Sequence, residues 1–242
     1  MLEFENIIKK YNGKNVLDGF SAKFEKGRIY TLVSPNGHGK TTLMKIACNL
    51  VKYDSGICRI NGKPVSPQTN ASVSYMPAEN YFYKNMSIED IGKYYQSFYK
   101  DFDMKKYKNL IKFMDLGMKM KPFEMSTGMC AKLKVCLAVS RNSDIMMLDE
   151  PLNGIDIIAR DMIIQAIIKA VSDEACVIIS THIFDEIESV ADSIVMIKEG
   201  KNILQGDLED IRMERGLSIS DLYRELFSKS LFADSVEEVL NV

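Results

Sequence analysis

The sequence predicts an α/β fold organised on a parallel sheet, and three features carry that reading. Strand-like apolar runs at 29–33, 145–148, 177–179 and 194–197 are separated by helical patterns, the alternation of βαβ units. A tight turn, Pro35-Asn36-Gly37-His38-Gly39, joins the first run to an amphipathic segment. From Ser87 the texture changes to helical periodicity, which predicts a mostly helical insert over 86–141.

Before the first of these runs, residues 1–28 read as strands with turn punctuation. Apolar residues recur at Phe4, Ile7 and Ile8, Tyr11-Asn12-Gly13 makes a turn, a second run ends at Phe24, and Lys26-Gly27 leads into Ile29–Val33. Thr41 to Leu50 carries helical spacing at Leu43, Ile46, Ala47 and Leu50. Ile57 to Ile60 followed by Asn61-Gly62 reads as strand and turn, and 73–76 as another short strand. Ser87-Ile88-Glu89-Asp90 resembles a capping box, and aromatics then recur at Tyr94, Phe98 and Phe102 with Tyr95 and Tyr99 beside them. That spacing predicts Tyr94 and Phe98 packed inward and Tyr95 and Tyr99 partly exposed. The last residues carry two helical patterns, one around Leu222 and Leu226, the other after Ser235.

Composition narrows the class. With 242 residues, 46% hydrophobic and 26% charged, the chain has material for a sizeable core. A formal net charge of −2 lacks the basic footprint of nucleic-acid binding, so no nucleic acid is expected as a partner. Five cysteines without CxxC spacing and only two histidines argue for buried thiols in a reducing compartment rather than a disulfide or metal framework. No apolar leader and no run of about 18 apolar residues is present, so neither secretion nor membrane spanning is expected.

The residues with chemistry begin in the turn after the first apolar run. A phosphate loop needs glycines so that successive N–H groups face a phosphate, a helix start behind them, a lysine for the β/γ oxygens and a hydroxyl for Mg²⁺. Gly37, Gly39, Lys40 and Thr41 supply these, with Thr42 a second hydroxyl and Ser34, Pro35, Asn36 and His38 completing the loop. Ser34 stands where the usual pattern has its first glycine. The following Pro35 biases Ser34 to extended backbone, which a serine tolerates. Downstream, Ile145-Met146-Met147-Leu148-Asp149-Glu150 is an apolar strand ending on two acids. Beside a phosphate loop, Asp149 is the expected Mg²⁺ carboxylate and Glu150 the group that polarises the attacking water.

Further stretches follow in order: Tyr11; Asp54-Ser55-Gly56; Met125-Ser126-Thr127-Gly128-Met129; Pro151 with Asn153-Gly154-Ile155-Asp156; and Ser180-Thr181-His182. Together with the loop and the two acids, they resemble the motifs of ATP-binding cassette ATPases, the nucleotide-binding subunits of ABC transporters, over about residues 2–210. The resemblance implies a RecA-like P-loop NTPase core at 1–85 and 142–210 with an N-terminal antiparallel β subdomain. It also implies a helical subdomain carrying the signature at 86–141, and a short helical extension at 211–242. It implies ATP and Mg²⁺ as ligands, Tyr11 stacking on adenine, and His182 contacting the γ-phosphate and holding the water with Glu150. Ser126, Thr127 and Gly128 would open a helix facing the γ-phosphate on a second nucleotide-binding subunit, identical or related, with Asp156 in the adjoining loop. An integral membrane subunit, attachment at the cytoplasmic face and an export architecture with separate membrane subunits complete what the resemblance implies.

Departures mark where the family pattern does not transfer. Thr127 and Met129 replace the signature's first glycine and its glutamine. Ala78 stands where the family has a glutamine near Mg²⁺, with Glu79 one residue on as an alternative. His38 replaces a small residue, leaving a solvated loop side chain or a sensor of pH or of the opposite subunit. The segment Pro77 to Asn85, with Tyr81, Phe82 and Tyr83, falls where the family forms a groove for its membrane subunit. Rival readings are a cassette ATPase of a soluble machine and a regulatory module with little turnover.

Overall fold

The computed structural model describes residues 1–170, 174–182 and 187–233. Strands β1 (Leu2–Tyr11), β2 (Lys14–Phe24), β4 (Ser55–Ile60) and β5 (Lys63–Pro64) form an antiparallel sheet in the order β2-β1-β4-β5. A second sheet has the order β10-β9-β3-β8-β7-β6. It comprises β3 (Arg28–Val33), β6 (Val73–Met76), β7 (Ile145–Asp149), β8 (Cys176–Ser180), β9 (Ser193–Lys198) and β10 (Lys201–Asp207). All its pairs are parallel except the edge pair β9/β10. Its central strands are apolar throughout because helices or the first sheet cover both faces. Among the described residues the core is therefore a mixed α/β fold of an antiparallel and a parallel-centred sheet.

The helices are α1 (Lys40–Ala47), α2 (Ile88–Phe98), α3 (Met104–Phe113), α4 (Thr127–Val139), α5 (Ile157–Ala170), α6 (Leu208–Arg215) and α7 (Ile219–Ala233). Met146, Leu148, Val177 and Ile179 face the core shared with α2 to α5. Ile145, Met147, Cys176 and Ile178 face α1 and the antiparallel sheet. Alternation along each strand thus serves two cores at once. Val33, Ile194 and Met196 pack under Leu208, Ile211, Ile219 and Leu222, so α6 and α7 rest on the sheet. The helical pattern around Leu222 lies in α7, α6 runs across residue 210, and the pattern after Ser235 lies outside the described residues.

Two local expectations change. The helix after the loop ends at Ala47, not Leu50. Asn49 turns left-handed (φ 55°) and the Leu50 N–H bonds the Lys45 carbonyl at 2.9 Å, a closing motif that leaves Leu50 64% exposed. On α2 the inward stripe differs from that expectation, although Tyr99 stays partly exposed as read, at 37%. The Ser87/Asp90 capping box forms as read, but Ile88, Ile91 and Gly92 are the buried positions, and Tyr95 follows them inward, bonding the Tyr81 hydroxyl at 2.9 Å. Tyr94 and Phe98 point outward, 38% and 66% exposed. Gly92 decides this: a Cβ there would run into the Tyr107 ring, so α2 meets α3 through that position and its opposite face is left to solvent.

Candidate active site

Three neighbouring strands, β3, β8 and β7, end at one edge of the sheet, and parallel pairing brings the chemistry of distant segments together there. After β3, Ser34 is buried and is not among the residues of positive φ, whereas Gly37 (φ 83°) and Gly39 (φ 105°) are left-handed. Gly39 is required twice over, since a Cβ would lie 2.7 Å from Leu17 Cδ2 and 2.9 Å from the Val16 carbonyl. Lys40 opens α1 with its ammonium buried. Nζ donates to the Ser34 carbonyl at 2.7 Å and lies 3.7 Å from Glu150 Oε1. Burial lowers its pKa, opposed by Glu150 and Asp149.

At the end of β7, Asp149 is fully buried. Its Oδ2 accepts from Thr41 Oγ1 at 2.7 Å and its Oδ1 from Ser180 Oγ at 2.6 Å. Tyr75 reaches Oδ2 at 3.4 Å, and burial followed by the Asp149 charge pushes its phenol up. Glu150 sits at φ 50°, a sparsely populated conformation for such a residue, held by its N–H against the Ser180 carbonyl and Oγ at 3.1 and 2.9 Å. That turn aims the carboxylate back over the loop. Oε2 lies 2.8 Å from His182 Nδ1, which requires the imidazole proton on Nδ1, and Oε1 is buried without a hydrogen bond.

These residues fit Mg²⁺ and a nucleoside triphosphate. Thr41 Oγ1 and Asp149 Oδ2 are paired hard oxygen donors, and Glu150 Oε1 is an unsatisfied acceptor beside them. Mg²⁺ takes one or two carboxylate or hydroxyl ligands from a protein and completes its shell with phosphate and water, and the Thr41/Asp149 pair supplies one of each. Thr41 and Asp149 would hold it, and the ion would neutralise charge on the transferred phosphate.

The other candidates lie elsewhere or do different work. Ser126 caps α4, its Oγ accepting the Met129 N–H at 3.2 Å, and Gly128 packs on Ile155, whose Cγ2 lies 3.4 Å from a Cβ built there. Among the described residues no hydrogen bond joins Ser126, Thr127 or Gly128 to the phosphate loop; Ser126 and Thr127 face solvent. Asp156 caps α5 through the Ala159 N–H at 2.9 Å. Tyr11 stands on the β1/β2 hairpin, 44% exposed, with the Lys9 ammonium 5.0 Å from its ring centre. Pro35, Asn36 and Thr42 lie in the loop and the first turn of α1. Glu79 turns to Lys45 (3.7 Å), while the Ala78 carbonyl accepts from Lys134 Nζ at 2.6 Å.

Sequence reasoning missed Ser180 and Tyr75 as supports of Asp149, and Lys134 as the tie from α4 to the segment after β6. Ser180 stands two residues before His182, but only the β7/β8 register, with Asp149 opposite Ser180, gives it that partner.

Comparison with known proteins agrees with this geometry. A family model described as ABC transporter matches residues 17–153. The lantibiotic transport ATP-binding protein SrtF of Streptococcus pyogenes is 31% identical over 211 residues, which are 86% of this chain and 92% of SrtF. A solved ATP-binding subunit of an ABC transporter is 26% identical with a TM-score of 0.84, over 93% of this chain and 99% of that one. The dimeric post-hydrolysis state of the cassette MJ0796 bound to ADP and Pi shares the fold, with a TM-score of 0.77 at 18% identity, over 86% of this chain and 99% of that one.

Proposed function

This chain belongs to the ABC transporter family, and from that premise we propose that it is the ATP-hydrolysing subunit of an exporter whose membrane-spanning part is a separate protein. The observation that carries the reading is the convergence of Lys40, Thr41, Asp149, Glu150 and His182 at adjoining strand ends. The Gly37–Gly39 backbone and the start of α1 hold the phosphates, and Lys40 neutralises the β/γ oxygens. Tyr11 offers its exposed ring to adenine. Glu150 orients a water toward the γ-phosphate and takes its proton, while His182 fixes the carboxylate and contacts the same phosphate.

One chain supplies half of each site in this reading. The outward-facing Ser126 and Thr127 at the positive end of α4 suit the γ-phosphate held by a second copy or a related chain. Ile157 and Ile158, 70% and 74% exposed beside Asp156, give that contact an apolar component. Complementation tests it. Glu150→Gln lacks its water-activating group and Ser126→Arg its signature hydroxyl, so each alone is inactive. Mixing them restores ATPase activity if one intact loop can pair with one intact signature; a mixture as inactive as its components defeats the shared site.

The membrane partner would dock on the groove beside α2. About 380 Å³ in volume, it is lined by Tyr81, Tyr83, Met86, Tyr94 and Phe98. Tyr83 is 63% exposed and stacks edge-on to Tyr94, whose ring lies 4.6 Å from that of Phe98. Such clustered exposed aromatics are typical interface anchors. Replacing Tyr83 and Phe98 with alanine is expected to leave the melting temperature and basal ATPase of the isolated protein close to the parent while abolishing co-purification with the membrane subunit. Undiminished co-purification, or unfolding, counts against the groove. No described helix is long and apolar enough to cross a membrane, which suits a peripheral position on its cytoplasmic face through that partner. Export rests on the likeness to a Nod factor export ATP-binding protein of Burkholderia lata, 28% identical over 232 residues, 92% of this chain and 76% of that protein. Accumulation of cargo on the ATP side of reconstituted vesicles would reverse it.

A further inference from the structure

Three segments meet behind the phosphate loop: the loop itself, residues Val16–Asp18 of β2, and the Glu199-Gly200 turn between β9 and β10. A Cβ on Gly39 would lie 2.9 Å from the Val16 carbonyl and one on Gly200 2.6 Å from it, so loop and turn both press on the same stretch of β2. The Asp18 N–H donates to the Gly200 carbonyl at 3.0 Å, which ties β2 to the turn. The third side of this triangle is a side chain: the Glu199 N–H donates to His38 Nδ1 at 3.1 Å.

We propose that His38 is a positioning residue that clamps the phosphate loop to the β9/β10 turn, so that nucleotide affinity depends on its imidazole being neutral. The proposal rests on reading the loop as the ATP-phosphate site. The loop has two left-handed glycines, and its backbone turn bond, His38 N–H to the Pro35 carbonyl, is long at 3.4 Å, so an external tether reduces the backbone freedom that nucleotide binding must otherwise remove. An imidazole accepts at Nδ1 only when unprotonated there; as imidazolium, both nitrogens donate, and Nδ1–H would face the Glu199 N–H.

The groups around His38 are Lys40 from α1, Lys14 from β2, and Lys198 and Glu199 from the end of β9 and its turn. Burial, then Lys40, holds the imidazole pKa below its usual value, Glu199 opposes, and Lys14 and Lys198 add to the lowering. The clamp is therefore complete at neutral pH and is lost as pH falls through that depressed pKa. A direct imidazolium contact to phosphate would act in the opposite sense, strengthening binding in acid.

The test measures affinity for a fluorescent ADP analogue between about pH 8 and about pH 4.5, a span that runs well below the ordinary histidine range, for the parent, His38→Asn and His38→Ala. Asparagine places Oδ1 near the position of Nδ1 but does not titrate, and the ligand's own titration cancels in the comparison. The parent should lose about threefold to tenfold more affinity than His38→Asn over that span, the worth of one hydrogen bond, and His38→Ala should bind more weakly than either near pH 8. Equal pH slopes for parent and His38→Asn would overturn the clamp, as would tighter binding of the parent in acid, which would make His38 a phosphate ligand. Absence of binding by all three would overturn the phosphate-site reading itself and the clamp with it.

Discussion

Glu150→Gln is expected to lower ATP turnover by about two orders of magnitude or more, the usual worth of a positioned acid-base group, while ATP affinity stays within a few-fold of the parent. The substitution is nearly isosteric, and Glu150's backbone bonds to Ser180 do not involve the carboxylate, so the strained turn at φ 50° survives. What disappears is a negative charge between Lys40 and His182 and the acceptor at Oε1, which is buried and makes no hydrogen bond. In the proposed site Gly37, Gly39 and Lys40 would still hold the triphosphate, and the signature of an opposing subunit would still meet it. ATP binding then outlasts hydrolysis, and a dimer loaded with ATP accumulates, visible as a shift in elution on size exclusion. Turnover close to the parent would remove Glu150 from its assigned place and leave His182 as the alternative base.

Lys40→Met separates function from folding. Lys40 carries a buried ammonium whose pKa burial lowers, so the folded chain bears a desolvation cost that Glu150 and Asp149 only partly offset. Methionine keeps most of the apolar stem and removes the charge, leaving the Ser34 carbonyl without its donor. The melting temperature should therefore change by no more than a few degrees, in either direction. Nucleotide affinity should fall about tenfold to a hundredfold, the loss of charge-assisted hydrogen bonds to phosphate, and turnover with it. Unfolding of Lys40→Met would mean that the lysine is chiefly structural, and unchanged affinity that the phosphates sit elsewhere.

The site was legible in the sequence where its parts are contiguous along the chain. Loop, lysine and hydroxyl occupy eight successive positions from Ser34 to Thr41, and glycine marks the left-handed turns because other side chains are costly there. Asp149 and Glu150 were legible because an apolar strand that ends on two acids has few other reasons to exist beside such a loop. The signature, by contrast, was readable as a motif, but its solvent-facing position became visible only in the fold.

Other features depended on partners far along the chain. The weakly patterned Lys201–Asp207 became an edge strand only because β9 lay beside it. On α2, aromatic spacing pointed to Tyr94 and Phe98, yet the buried face was set by Gly92 meeting the Tyr107 ring of α3. Arg141 passes unnoticed in the sequence. In the fold it is a buried hub that binds Asp101 and the Val73 and Ala71 carbonyls and stacks 3.9 Å from the centre of the Tyr99 ring.

By itself, then, the sequence determined the α/β class, the glycine-rich turn after β3 and the two acids at the end of β7, since each follows from local backbone preference or from apolar periodicity. The tertiary structure decided that Ser180 supports Asp149, that His38 meets Glu199 and that Tyr94 and Phe98 stay outside. Those outcomes depend on strand register and on which helix face meets a neighbour, and both are settled by packing between segments far apart in the chain.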